Sequence, residues 1–111
     1  MATITPTVLC PAKSMESTQT TQFTATSATV VTKCVVTNTS SAAVTFSLNI
    51  VPSGGSVAKS NKVISSYSIA AGASYQCPEV VGHTLATGTF ISTISATASV
   101  LTLRISGNVY T

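Results

Sequence analysis

Acids, histidine and tryptophan are scarce in this sequence. Its 111 residues include no aspartate, no tryptophan, one histidine and two glutamates, Glu16 and Glu79. Proton-transfer enzymes need positioned acids and bases, and glycosidases need two carboxyl groups a few ångströms apart. Glu16 lies in an irregular N-terminal stretch and nothing in the sequence fixes its distance from Glu79. We therefore expect two solvated carboxylates and no enzyme activity.

The remaining reactive side chains form no known site pattern. A serine hydrolase would need His83 beside an acid and a held serine, and the G-x-S-x-G turn is absent. Cys10, Cys34 and Cys77 include no C-x-x-C pair, and the spacing from Cys77 to His83 is looser than in zinc fingers. An odd number of widely spaced cysteines is typical of reduced thiols in a cytosol, with Cys34 in the core. We predict no catalytic residue, no metal and no cofactor.

Charge is also scarce, at 6% of residues, and the net charge of +3 comes from five dispersed cations. Nucleic-acid binders cluster lysine and arginine against several phosphates and add aromatic stacking platforms, so we expect no nucleic-acid partner. The sequence also has no apolar run of about 18 residues and no secretion signal at its start. We expect no membrane partner either.

The residues that are abundant favour β-structure. Threonine, valine and isoleucine fit pleated surfaces, whereas strong helix formers are sparse. Two segments alternate apolar and polar residues with the period of a half-buried strand: Val44 to Ile50 and Leu101 to Ile105. The length suits one domain that buries roughly two-thirds of its unfolded surface.

Turn signals divide the chain into about seven to eight short strands without helical periodicity. This pattern predicts an all-β fold, an antiparallel β-sandwich that is immunoglobulin-like or jelly-roll-like. Residues 1–18 contain Pro6 and Pro11 and are expected to form an extended N-terminal arm or an edge strand. Residues 19–111 are expected to form the sandwich domain.

One predicted strand, from Ala28 to Asn38, is apolar on both faces. Strict alternation places Val30, Cys34 and Val36 on one face, and Val31 and Val35 around Lys33 on the other. Either a neighbouring subunit covers the second face or the strand lies at a bend.

Four segments resemble a family of small virion-associated proteins of tailed bacteriophages: "TNTSSAAVTFSLNIVPSGG", "VISSYSIAAGASYQ", "LATGTFIS" and "LTLRISGNVYT". The resemblance extends from about Phe23 to Thr111 and rests mainly on turn signatures. It implies a small immunoglobulin-like sandwich and a non-enzymatic particle component.

On this resemblance, the leading hypothesis is a capsid decoration or cement protein that binds and stabilises the outer capsid surface. Its partners would be the major capsid protein or other virion proteins, with homo-oligomers expected and the virion as its location. The alternatives are a neck, tail or fibre component, or a module that binds a host surface protein or glycan. A hydroxyl-rich surface with little charge suits burial against other subunits, because few charges need to be desolvated.

The hypothesis predicts that partner binding spreads over three parts of the chain. These are the N-terminal arm, the second face of the strand at 28–38, and the loop after Gly55. The candidate partner-binding residues are Thr3, Ile4, Val8, Leu9, Val31, Lys33, Val35, Lys59 and Lys62.

Overall fold

Nine β-strands and one short 3₁₀ helix make up the regular structure of residues 3–111, the part of the chain that the computed structural model describes. The strands are β1 (Ile4–Ser14), β2 (Thr20–Thr24), β3 (Thr29–Asn38), β4 (Val44–Val51), β5 (Lys62–Ile69), β6 (Ser74–Tyr75), β7 (Thr84–Leu85), β8 (Phe90–Ser95) and β9 (Leu101–Tyr110). The 3₁₀ helix, Lys59–Asn61, directly precedes β5. None of these elements is a helix long and apolar enough to cross a bilayer.

The strands form two antiparallel sheets with one core between them. Sheet A has the order β1-β9-β3-β6, and β7 pairs with the other end of β3. Sheet B has the order β2-β8-β4-β5. The predicted all-β fold with two packed antiparallel sheets is confirmed. The structure has nine strands instead of the predicted seven to eight, and two of the nine, β6 and β7, have only two residues each.

The core forms where the two alternating segments face each other. Val44, Phe46 and Leu48 of β4 are buried, as are Leu101, Leu103 and Ile105 of β9. Burying each such side chain contributes roughly 1.5–3 kcal/mol relative to exposure. The inward alternation predicted for these two strands is confirmed at these six positions, although Ile50 is only partly buried.

The other face of β4 is also buried, so the prediction of a half-buried strand is wrong at this end. Ser47, Asn49 and Val51 have 7%, 0% and 0% exposure. Asn49 is held by the segment that ends in the 3₁₀ helix, since its Nδ2 donates to the carbonyl oxygen of Ala58 at 2.9 Å and to Asn61 Oδ1 at 2.7 Å. Ser47 Oγ accepts a hydrogen bond from the backbone N–H of Ser66 in β5 at 2.9 Å. The apolar–polar alternation of one strand does not predict whether another segment of the chain packs over its polar face.

The N-terminal segment is an edge strand of sheet A. β1 pairs with β9 from Ile4 opposite Tyr110 to Ser14 opposite Thr102. Thr3 and Thr111 exchange both backbone hydrogen bonds, so alternation directs the backbone groups of Ile4, Pro6 and Val8 away from β9. Pro6 therefore costs sheet A no hydrogen bond, and it removes a donor from the free edge, which hinders the addition of a further strand.

A β-bulge in β3 corrects the predicted faces of this strand. Val31 is opposite Gly107 and Lys33 is opposite Ser106, so Thr32 is the extra residue. The bulge moves Val31 to the core face, where it is fully buried, and leaves Val30 with Lys33 on the outer face. The assignment of Val31 to an outward face is wrong because strict alternation assumes a strand without insertions.

Candidate protein-binding face

The outer face of sheet A, called face A below, is a surface made by three neighbouring long strands. The residues that alternate with the buried ones point outward, and the cross-strand register aligns them in rows. Val8, Ser106 and Lys33 form one such row across β1, β9 and β3. Face A comprises Ile4, Pro6, Val8, Val30, Lys33, Val35, Arg104, Ser106, Asn108 and Tyr110.

Face A carries apolar side chains that the described chain leaves exposed or only partly buried. Ile4 and Val8 are 57% and 51% exposed, the two largest exposures among the large hydrophobic residues of 3–111. Val30, Val35 and Tyr110 are partly buried on the same face. Single exposed hydrophobic residues are ordinary, but a contiguous group on one sheet face is typical of an interaction surface.

The charge of face A has one sign. Lys33 lies opposite Ser106 and Arg104 opposite Val35, so the two residues are diagonal neighbours, a relation in which Cα atoms are about 7–8 Å apart. None of the face A residues, all within the described part of the chain, is a glutamate. Face A is therefore a mixed apolar and cationic surface, and it complements a partner that offers carboxylates.

Both glutamates are engaged elsewhere. Lys13 Nζ contacts Glu16 Oε2 at 2.7 Å, and Gln22 Nε2 donates to Glu16 Oε1 at 3.0 Å. These hydrogen bonds, from Lys13 first and then Gln22, lower the pKa of Glu16 below its ordinary value. Glu79 accepts a hydrogen bond from the hydroxyl of Tyr75 at 2.5 Å. Neither carboxylate neutralises Lys33 or Arg104.

The structure brings together some of the sequence-predicted binding residues and separates others. Ile4, Val8, Lys33 and Val35 meet on face A, and Thr3 is exposed beside them. Leu9 is in the core at 7% exposure because it is the extra residue of a bulge in β1, and Val31 is in the core as described above.

Two predicted residues lie on the other sheet. Lys59 belongs to the 3₁₀ helix, and Lys62 pairs with Asn49 of β4 in sheet B; both are exposed. Sequence reasoning missed Val30, Arg104 and Tyr110 as members of face A. The inward alternation of Leu101, Leu103 and Ile105 in the sequence predicts that Arg104 points outward. Only the pairing of β9 with β1 and β3 shows that Arg104 lies on the same face as Lys33.

A tyrosine stack closes one open side of the sandwich. Tyr67 of β5 and Tyr75 of β6 belong to different sheets, and their rings stack at a centroid distance of 3.8 Å with an interplanar angle of 15°. Phe46 packs edge-on against both. The hydroxyl of Tyr75 reaches both carboxylate oxygens of Glu79, so this cluster is internally satisfied.

Replacing Tyr75 with phenylalanine is expected to make the protein less sensitive to alkaline pH. Burial, followed by the hydrogen bond to Glu79, raises the pKa of Tyr75 above its ordinary value of 10.0. This contribution to stability is fully present below pH 10.0 and is lost as the pH rises toward the raised pKa, because the unfolded chain ionises first. Urea unfolding between neutral pH and pH ~11 measures the difference. A Tyr110→Phe control should retain the wild-type decline, and an equal decline in the Tyr75→Phe protein would contradict the assignment.

A pocket on sheet B is lined mainly by serine and threonine residues. It has a volume of about 300 Å³, and Ser17, Thr45, Ser47, Ser66 and Ser95 line it together with Phe46, Ile94 and Ala96. No acid, histidine or cation lines it. Within residues 3–111, no three histidine, cysteine or acidic side chains come together as metal ligands.

Comparisons with known proteins add no identification. No family model matches the sequence, and the searches of curated proteins and of solved structures return no match.

Proposed function

We propose that this protein is a non-enzymatic structural component of a bacteriophage particle, a decoration or cement protein that binds the outer capsid surface through face A. The main structural support for the proposal is the nested pairing of the strands. If the two-residue β7 is left aside, the strands pair from the ends of the chain inward: β1 with β9, β2 with β8, β3 with β6 and β4 with β5.

This nesting favours a jelly roll, in which one long antiparallel hairpin is wound into two sheets. In an immunoglobulin sandwich the last two strands pair within one sheet, whereas here β8 and β9 belong to different sheets. Jelly rolls recur in viral capsid proteins and lectins. Because a fold alone does not assign a function, the phage context comes from the resemblance between Phe23 and Thr111, although the strand pairing does not favour the immunoglobulin-like sandwich that this resemblance implies.

The surface chemistry supports an assembly role. Only 6% of the residues are charged, so a large interface can form with few charges to desolvate. On face A, Val35 lies opposite Arg104, and Val8 shares a cross-strand row with Ser106 and Lys33. We propose that the partner is the major capsid protein and that it presents carboxylates opposite these two cations.

The size of face A favours binding by several copies at once. Three strands of ten or eleven residues offer about 500 Å², whereas a stable one-to-one interface buries about 800 Å² on each partner. Copies held together as a homo-oligomer would gain from multivalent attachment to a repeating capsid lattice.

The location and copy number of the protein in purified virions test the proposal. Quantitative mass spectrometry should find it in the particle at a simple ratio to the major capsid protein. A single ring of copies would instead place it at the neck, tail or a fibre. Its absence from the particle would overturn the virion proposal altogether.

Removing the two cations of face A is expected to weaken particle binding roughly tenfold. The double variant Lys33→Gln with Arg104→Gln removes two charges from face A. The matched control, Lys59→Gln with Lys62→Gln, removes the same charge from the other sheet. Sedimentation of each protein with particles that lack it measures the affinity. Equal weakening by both variants would indicate general charge attraction, and unchanged binding of the face A variant would exclude this face.

A further inference from the structure

Two cysteines far apart in sequence lie side by side in the core. Cys34 is in β3 and Cys77 follows β6, and both are fully buried free thiols. Val36 is opposite Tyr75, and each cysteine lies two residues beyond this pair, Cys34 along β3 and Cys77 after the end of β6. Cys77 has a φ of 46°, so the chain leaves the extended conformation there, and its thiol and that of Cys34 belong to the same buried cluster.

The contacts of the two thiols agree with this placement. Cys77 Sγ donates to the carbonyl oxygen of Tyr75 at 3.8 Å, which leaves its lone pairs free. Hydrogen bonding to Cys77, together with burial, raises the pKa of the Cys34 thiol above its ordinary value. Both thiols are fully buried, so they are shielded from oxidants while this region stays closed.

We propose that Cys34 and Cys77 form a latent disulfide site that closes when the protein meets a small-molecule disulfide. In the exchange each thiol loses a proton, an Sγ–Sγ bond forms between the two residues, and the S–S bond of the oxidant breaks to give two small thiols. The pair supplies two electrons and the oxidant accepts them. This inference does not depend on the virion proposal.

The third cysteine is excluded by the sheet geometry. Cys10 and Cys34 pair with Ile105 from opposite sides of β9, so their Cα atoms are two strand spacings apart, about 9–10 Å. This separation exceeds the limit of about 7 Å for a disulfide without backbone movement. Cys77 lies on the far side of β3 from β9 and is farther still from Cys10. The fold thus selects one of the three possible pairs.

The bond would fasten the connection between β6 and β7 to β3. At its other end this connection is held by two backbone hydrogen bonds with Val31, from Gly82 N at 2.7 Å and to the carbonyl oxygen of His83 at 3.1 Å. A disulfide at Cys77 would also fix the first half of the connection between β6 and β7. It would also close the chain between residues 34 and 77, which restricts the unfolded state.

Oxidation of the reduced, folded protein with oxidised glutathione tests the proposal. Non-reducing peptide mapping should find one Cys34–Cys77 link, with Cys10 still a free thiol, and the melting temperature should rise by roughly 10 °C and return after reduction. The Cys10→Ala protein should behave in the same way. The Cys34→Ala and Cys77→Ala proteins should show neither the link nor the rise.

Several results would overturn the inference. These are the absence of a Cys34–Cys77 link after oxidation, a link that includes Cys10, or a link that leaves the melting temperature unchanged or lower. If the alanine variants are too unstable to compare, the mapping and the reversible melting shift of the Cys10→Ala protein still decide the question.

Discussion

Replacing Phe46 with alanine is expected to lower the free energy of unfolding by about 4 kcal/mol. Phe46 is 1% exposed in β4, and its ring packs edge-on against Tyr67 at 6.5 Å and Tyr75 at 6.3 Å between ring centroids. The substitution removes core surface and leaves a cavity beneath the tyrosine stack that joins the two sheets. Since natural domains are stable by only about 5–15 kcal/mol, the variant should be close to unfolding at ordinary temperature.

Urea unfolding followed by circular dichroism measures this loss. Thr45→Ala is the matched control, because Thr45 is the neighbouring residue of β4 and is only partly buried; we expect a change of at most about 0.5 kcal/mol. Phe46→Leu, which retains most of the apolar volume, should fall between the two. A loss below about 1 kcal/mol for Phe46→Ala would show that this ring is not central to the core.

Replacing Gly107 with alanine is expected to cost about 3 kcal/mol. A Cβ atom here would lie 2.9 Å from Leu9 Cδ1 and would collide with the carbonyl oxygen of Val30. The oxygen belongs to the backbone of a neighbouring strand, so it cannot rotate away. The bulges at Leu9 and Thr32 lie on either side of Gly107 and bring both neighbouring strands close to it.

The adjacent residue provides the control for this substitution. Ser106→Ala changes β9 on its outer face, where the side chain is only partly buried, and should alter the free energy of unfolding by at most about 0.5 kcal/mol. Thermal and urea unfolding of both variants measure the contrast. If Gly107→Ala is as stable as Ser106→Ala, the two neighbouring strands can separate at little cost and the close approach at Gly107 does not limit stability.

Face A shows how well the apolar–polar alternation of single strands predicts which residues share a surface. Ile4, Val8, Lys33 and Val35 were predicted as binding residues from separate segments, and the register places them on one face. Leu9 and Val31 were predicted with them and are buried, because each is adjacent to or part of a β-bulge. A bulge depends on how two strands pair, so a single strand carries no pattern that locates it.

The sequence by itself determined the all-β class, the inward side chains of β4 and β9 and the scarcity of catalytic groups, because composition and period-2 alternation act locally along each strand. Only the tertiary structure decided which strands are neighbours, where the bulges fall, that Lys33 and Arg104 share a face, and that Cys34 lies beside Cys77. These features join residues that are distant in the chain, and they depend on cross-strand register and on the packing of two sheets over one core.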